Sequence, residues 1–253
     1  MELSVGLFYV PIGTKIVQRN FRRQFILYKM VQKKKAQRPR GRPRAYDPDQ
    51  ALARARDAFW DGGYTGTSLE ELSDATGMNR PSLYGAFGDK RALYLQTMER
   101  YRDMGRAAMK EELSYEIPLA EALRRTFNRA ISIYIAGTHG PRGCFLINTA
   151  ATESVRDPDI RAAFAAGLHE LDDQLEARLR HASAHGDLNT DIEPAVLARV
   201  LSGVMNSLAL RARAGEPREM LESTVEATVR LVTQAALRVT AKAASASSTD
   251  FRA

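Results

Sequence analysis

The stretch GMNRPSLYGAFGDK, residues 77–90, gathers Asn79, Arg80, Ser82, Tyr84 and Lys90 within a dozen positions. Leu83 and Phe87 stand four apart, the spacing of one helix face. That leaves Arg80, Ser82, Tyr84 and Gly85 on the other faces. Hydroxyls and cations beside a helix N-terminus suit phosphate oxygens, because the backbone N–H groups there lack intrahelical partners. This chemistry is recognition rather than bond-making. The rest of the chain agrees: it has no H-E-x-x-H metal motif, no nucleophile elbow and no phosphate-cradling glycine loop. An all-helical enzyme is therefore the weaker reading.

Two other places could carry chemistry. Cys144 follows GPRG at the start of an apolar stretch, CFLINTAATESV. A thiol at a helix N-terminus near Arg142 can have a lowered pKa and react with oxidants or electrophiles. A buried, inert thiol is the competing reading, and the sequence leaves both open. His181 and His185 are four apart, a possible metal pair. No third ligand has a clear spacing, and a cation there also complements the end of a helix. No metal, cofactor or catalytic residue is expected. A single Cys excludes a disulfide within the chain and fits a reducing cytoplasm.

The elements that must position these residues are helices. The chain is rich in Ala, Leu, Arg and Glu and poor in β-branched runs. Asp47 and Pro48 begin a helix whose apolar face is Ala51, Leu52, Ala55, Ala58 and Phe59, and Gly62-Gly63 end it. Thr67 or Ser68 caps a short second helix; both have capping-box spacing, to Glu70 and Glu71. Leu69, Leu72 and Ala75 are its apolar face. Gly77 makes the turn, Asn79 caps the third helix with Pro81 in its first turn, and Gly88 closes it. Two short helices around a tight glycine turn form a helix-turn-helix. Further helices are expected at 89–110, 118–136, the CFLINTAATESV stretch, 157 to about 183, 193 to about 213, and 217 to about 240. GTHGPRG is a loop, and residues 241–253 read as a disordered tail.

Charge is unevenly placed. Of the net +7, residues 1–44 hold +11, from 12 Lys/Arg against Glu2, leaving −4 on residues 45–253. Such an arm attracts phosphate polyanions or anionic membranes. A solvated, unstructured tail is the plainer account. Residues 1–29 match nothing that follows, and MVQKKKAQRPRGRPRAYDP from Met30 reads as a natural beginning. The expectation is that residues 1–29 do not belong to the natural protein. No secretory signal is read there, and no membrane-spanning helix is expected. FYVPIG and FRRQFILYKM could instead lie on a lipid surface, which keeps a helical adaptor binding membrane or nucleic acid as an alternative.

Residues 44–93, RAYDPDQALARARDAFWDGGYTGTSLEELSDATGMNRPSLYGAFGDKRAL, resemble the DNA-binding domain of the TetR family of transcriptional regulators. The most specific part is TSLEELSDATGMNRPSLYGAFGDKRAL: a Thr-led helix, a Gly turn, an LY pair, a closing aromatic and a Lys opening the next helix. The resemblance implies an all-α fold, with a three-helix DNA-binding domain at 45–92 and a ligand-binding and dimerisation domain at 93–240. It implies a cytoplasmic homodimer on a palindromic operator in double-stranded DNA, most often a repressor released by a small-molecule effector. The helix Asn79–Phe87 would lie in the major groove, with half-sites about one helical turn apart. Tyr84, Lys90 and Thr67 or Ser68 would contact phosphates. Arg80 and Ser82 would read bases, Asn79 and Pro81 would also lie against the DNA, and Arg42 and Arg44 would lie in the flanking minor groove. Gly85-Ala86 depart from the larger side chains of many members and shift readout to Asn79, Arg80 and Ser82. Met98, Tyr101, Phe127, Ile131, Tyr134, Cys144, Phe145, Asn148, Phe164 and His169 are the pocket candidates, with plain core as the competing role for each. The apolar faces of Leu197–Leu210 and Leu221–Leu237 suit a four-helix dimer contact, with burial within one subunit as the competing role, more so for the first.

Overall fold

The computed structural model describes the backbone of residues 46–188 and 190–247, and side chains through Thr233 apart from Asn189. The arm, with Arg42 and Arg44, and residues 248–253 of the expected tail lie outside the described residues. Among the described residues every regular element is a helix: α1 (Pro48–Gly66), α2 (Leu69–Thr76), α3 (Arg80–Phe87), α4 (Lys90–Glu112), α5 (Leu119–Ile135), α6 (Phe145–Glu153), α7 (Pro158–Ala184), α8 (Pro194–Arg213) and α9 (Arg218–Ser247).

Local chemistry sets most of the boundaries. The Asp47 carboxylate accepts the N–H groups of Asp49 and Gln50 and starts α1. Gly63 breaks it at φ 74°, ψ 168°, and one more helical turn follows. Asn79, Asp89 and Asp157 cap α3, α4 and α7 through their side chains. Each cap satisfies an N–H that would otherwise lack a partner. The last helix extends past the expected end near residue 240, through the Ala-rich AKAASAS run, which contains no helix breaker.

Two cores organise the fold. One surrounds Phe59, Trp60, Leu72, Leu83 and Phe87 and continues into Leu93, Tyr94 and Met98 of α4 and Phe145, Leu146 and Ala150 of α6. The reading helices thus share a core with α4 and α6, so the line expected near residue 92 crosses packed side chains. The other core joins α5, α7, α8 and α9 through residues such as Leu123, Phe127, Leu179, Leu201, Leu208 and Val229. By length and composition α8 is apolar enough to cross a bilayer. Its Leu197, Leu201, Met205 and Leu208 are buried in this second core, as in a core helix of a globular fold.

Candidate functional site

The α2–turn–α3 unit is held from below. Leu72, Met78, Leu83 and Phe87 are buried in one cluster with Ala51, Ala55, Phe59 and Trp60 of α1. Gly77 takes the left-handed conformation at φ 68°, which a side chain would strain. The Thr76 hydroxyl donates to Leu72 O at 2.7 Å and accepts the Met78 N–H at 3.3 Å, which fixes the turn. With Leu83 and Phe87 inward, Arg80, Pro81, Ser82, Tyr84 and Gly85 are all exposed. Asn79 is exposed too, but its Oδ1 accepts the Ser82 N–H at 2.9 Å, leaving its amide NH2 as the free donor. Arg80 reaches Glu70 only at 3.7 Å, between two exposed side chains. A pair of that kind is weak, so the guanidinium is free to turn to another acceptor.

The start of α2 divides the roles of its two hydroxyl residues. Ser68 is the cap: its hydroxyl accepts the Glu71 N–H at 3.1 Å, and the Glu71 carboxylate accepts the Ser68 N–H at 2.6 Å. That bond holds the Glu71 carboxyl below its ordinary pKa. Thr67 is buried, and its hydroxyl donates to Gly63 O at 2.6 Å. Of the two hydroxyls expected at a phosphate, Thr67 is corrected to a structural role and Ser68 keeps an exposed O–H. Lys90 lies with Nζ 4.7 Å over the Tyr64 ring. Burial lowers its pKa, opposed by the carboxylates of Glu153 and Glu71.

A cleft of about 320 Å³ opens between α1, α4 and α5. Its walls are Trp60, Tyr101, Met104, Ala108, Met109, Ala130, Ile133, Tyr134 and Met205, with Arg56, Glu112, Arg129 and Arg142 among the polar groups. Arg142 stacks its guanidinium 3.8 Å over Trp60 and bonds Asp57 at 3.1 Å, while Trp60 Nε1 donates to Arg142 O at 3.2 Å. Gly143 makes this loop possible: a Cβ there would lie 2.6 Å from Ala209 O.

Of the ten expected pocket residues, Tyr101 and Tyr134 line this cleft. Met98, Phe127, Ile131 and Phe145 are fully buried core. Asn148 spends its amide on Arg142 O at 2.7 Å, Phe164 packs against the first core, and His169 is exposed. Trp60, Arg56, Arg142 and the three methionines were missed. The small residues of DMGRAAM, residues 103–109, were the available signal, since Gly105 and Ala108 leave the room.

Cys144 stands at the N-terminus of α6, where Tyr101 donates to its sulfur at 3.6 Å. Burial pushes the thiol pKa up, and this outweighs the lowering by the N–H groups of Ile147 and Leu146 and by Tyr101. Of the two readings the sequence left open, the inert thiol is the one this environment favours. His181 stacks between Tyr115, at 4.1 Å, and His185, at 4.0 Å. Among the described residues no group of three metal-ligating side chains occurs.

Residues 51–97 match the family description "Bacterial regulatory proteins, tetR family", and residues 120–228 match "Tetracyclin repressor-like, C-terminal domain". The chain is 31% identical over 192 residues to the HTH-type transcriptional repressor ComR of Escherichia coli (strain K12), covering 76% of this chain and 91% of the relative. The chain belongs to the TetR family. A second relative, an uncharacterized HTH-type transcriptional regulator, YezE of Bacillus subtilis (strain 168), is 30% identical over 74% of this chain and 96% of its own length. Among solved structures, a cysteine-substituted form of the TetR family regulator CifR, in complex with 26-base-pair operator DNA, has 33% identity and a TM-score of 0.68, covering 75% of this chain and 98% of that one. This TetR-family chain is a DNA-binding transcriptional regulator of the ligand-responsive, dimeric type, and such regulators are not enzymes.

Proposed function

We propose that the protein is a cytoplasmic repressor that grips a palindromic operator through α3 and lets go when an apolar small molecule enters the α1–α4–α5 cleft. The observation that carries this is the outer face of α3. Arg80, Ser82 and Tyr84 stand exposed there while Leu83 and Phe87 hold the helix to its core. Arg80, Ser82 and the Asn79 amide are assigned to base edges, with Ser68, Tyr84 and Lys90 assigned to phosphates. Arg42 and Arg44 add minor-groove contacts on the strength of sequence alone.

The cleft suits an effector because its walls are aromatic rings and methionines, adaptable and apolar, with a few polar groups among them. It also reaches the core beneath the reading helices, since Arg56 and Trp60 belong to α1 and Trp60 shares a buried cluster with Leu72, Leu83 and Phe87. An effector works only if it binds more tightly to the conformer whose two reading helices are wrongly spaced for DNA. Selection of bound duplexes from a random pool, at fixed near-physiological salt, tests the reading head. One palindrome with two equal half-sites is the expected product. Sequence-blind, salt-sensitive recovery would reject it.

A further inference from the structure

A second cleft, of about 580 Å³, lies where the end of α4 meets α7. Its wall includes Arg178, which is only 2% exposed. Nη2 of that guanidinium donates to Ile117 O at 2.7 Å. Its Nε and Nη1 are buried with no hydrogen-bond partner among the described residues. Nor does Arg178 make an ion pair there; Asp187 and Tyr115 act on it only at longer range. A guanidinium is cationic at any physiological pH. Leaving such a charge buried without a counter-charge is costly, and folds rarely keep one without a reason.

The cleft adds more positive charge and little negative. Arg106 and Lys110 border it. Arg106 already shares Glu170 with Arg102, whereas Lys110 makes no ion pair among the described residues. Ser114, Tyr115 and Gln174 supply neutral donors, and Met109, Leu113 and Ala177 supply an apolar wall. The space is far larger than a water molecule needs, roughly 30 Å³ in the liquid.

We propose that this cleft binds a small molecule bearing an oxyanion, a carboxylate or a phosphate group. The Arg178 guanidinium and the Lys110 ammonium supply the positive charge, and Met109 and Leu113 pack on the carbon skeleton. The site is separate from the effector cleft, with Met109 bordering both. It would give the regulator a second chemical input, and its existence does not depend on the operator or on the first effector.

The test is thermal unfolding of the full chain in sodium phosphate, sodium hexanoate and sodium chloride at matched pH and ionic strength. The proteins compared are wild type, Lys110→Ala, Arg178→Met and Arg125→Ala, a surface control. A ligand that binds only the folded state raises Tm with concentration. Phosphate also stabilises folded proteins generally, by exclusion from their surface, so only the difference between variants counts. The expected result is a rise of several degrees over chloride in wild type and Arg125→Ala, lost or at least halved in Lys110→Ala and Arg178→Met. A response to phosphate alone or to hexanoate alone supports the site and names its oxyanion. Equal responses in all four proteins would mean that the Arg178 and Lys110 charges meet no anion in this cleft, and would overturn the proposal. Should Arg178→Met fail to fold, Lys110→Ala decides, because that exposed side chain supports no buried contact.

Discussion

Single side chains divide the recognition work on the reading head. Arg80 is exposed and only loosely tied to Glu70, so its guanidinium can fork onto a guanine. Replacing it with alanine is expected to cost about 1–3 kcal/mol on the preferred operator and little on operators altered at that base. With Lys90 assigned to a phosphate as a point charge, Lys90→Ala is expected to weaken every DNA sequence alike and to lower the salt slope by about 1. Titrations of both variants on matched and altered duplexes check this. If Arg80→Ala weakens all sequences equally, the base-reading role fails. Cys144 invites a different expectation. Burial raises its thiol pKa. A small alkylating reagent at pH 7 is therefore expected to label native protein far more slowly than unfolded protein. Equal rates, read by mass spectrometry, would restore the sensor reading. The cap of α2 shows where sequence stops speaking. Thr67 and Ser68 both had the spacing, and only packing turned the Thr67 hydroxyl toward Gly63 O.

At the scale of elements, caps and glycine turns are local chemistry, which is why they could be read directly. Asp47, Asn79, Gly77 and Gly88 act within three or four residues, and all four stand where spacing placed them. The cleft could not be read that way, because it depends on which faces of α1, α4 and α5 meet across dozens of residues. Periodicity marks an apolar face without saying whether a helix or a cavity covers it, so Phe127 and Ile131 went to the core. The tie between α4 and α7 was equally hidden. Arg91 Nε donates to Asp157 at 2.5 Å, and the same guanidinium reaches Asp159. Asp157 also caps α7. The Arg91 bond, with the N–H groups of Ile160 and Asp159, lowers the Asp157 carboxyl from 3.8 to about 2. A carboxyl whose pKa is depressed on folding stabilises the fold above its unfolded value and loses that contribution as pH falls through the folded value. Asp157→Asn keeps a capping side chain but no charge. Its Tm is expected to lie below wild type at pH 7, and the gap is expected to close between about pH 4 and pH 2. A gap constant across that range would mean the ion pair contributes nothing.

For the whole molecule, the unspent surface says how copies and DNA come together. Val196, Val200 and Leu210 of α8 and Met220 and Leu231 of α9 are exposed, with Leu231 at 74%. A dimeric regulator needs an apolar face for its partner, and we assign that role to these side chains of α8 and α9. The double variant Val200→Glu, Leu210→Glu is expected to run as a monomer by light scattering, to keep its helical content, and to lose at least tenfold in operator affinity. A variant that stays dimeric would place the contact elsewhere. Charge at this scale runs against DNA binding by the folded part alone. Residues 45–253 carry −4, and residues 46–95 hold eight acids against five bases. Affinity must then come from a few placed cations, and from the +11 on residues 1–44. Each phosphate neutralised releases condensed counterions, so log K falls with log salt in proportion to the number of phosphates engaged. Deleting residues 1–44 is expected to weaken binding roughly tenfold or more at physiological salt, on operator and random duplex alike. It is also expected to flatten the slope by about 0.9 for each phosphate the arm had neutralised. Because the weakening is uniform, the ratio of operator to random affinity stays near wild type, apart from any share carried by Arg42 and Arg44 in the minor groove. An unchanged slope would mean that the charged arm does not touch the duplex and that Ser68, Tyr84 and Lys90 hold the phosphates unaided.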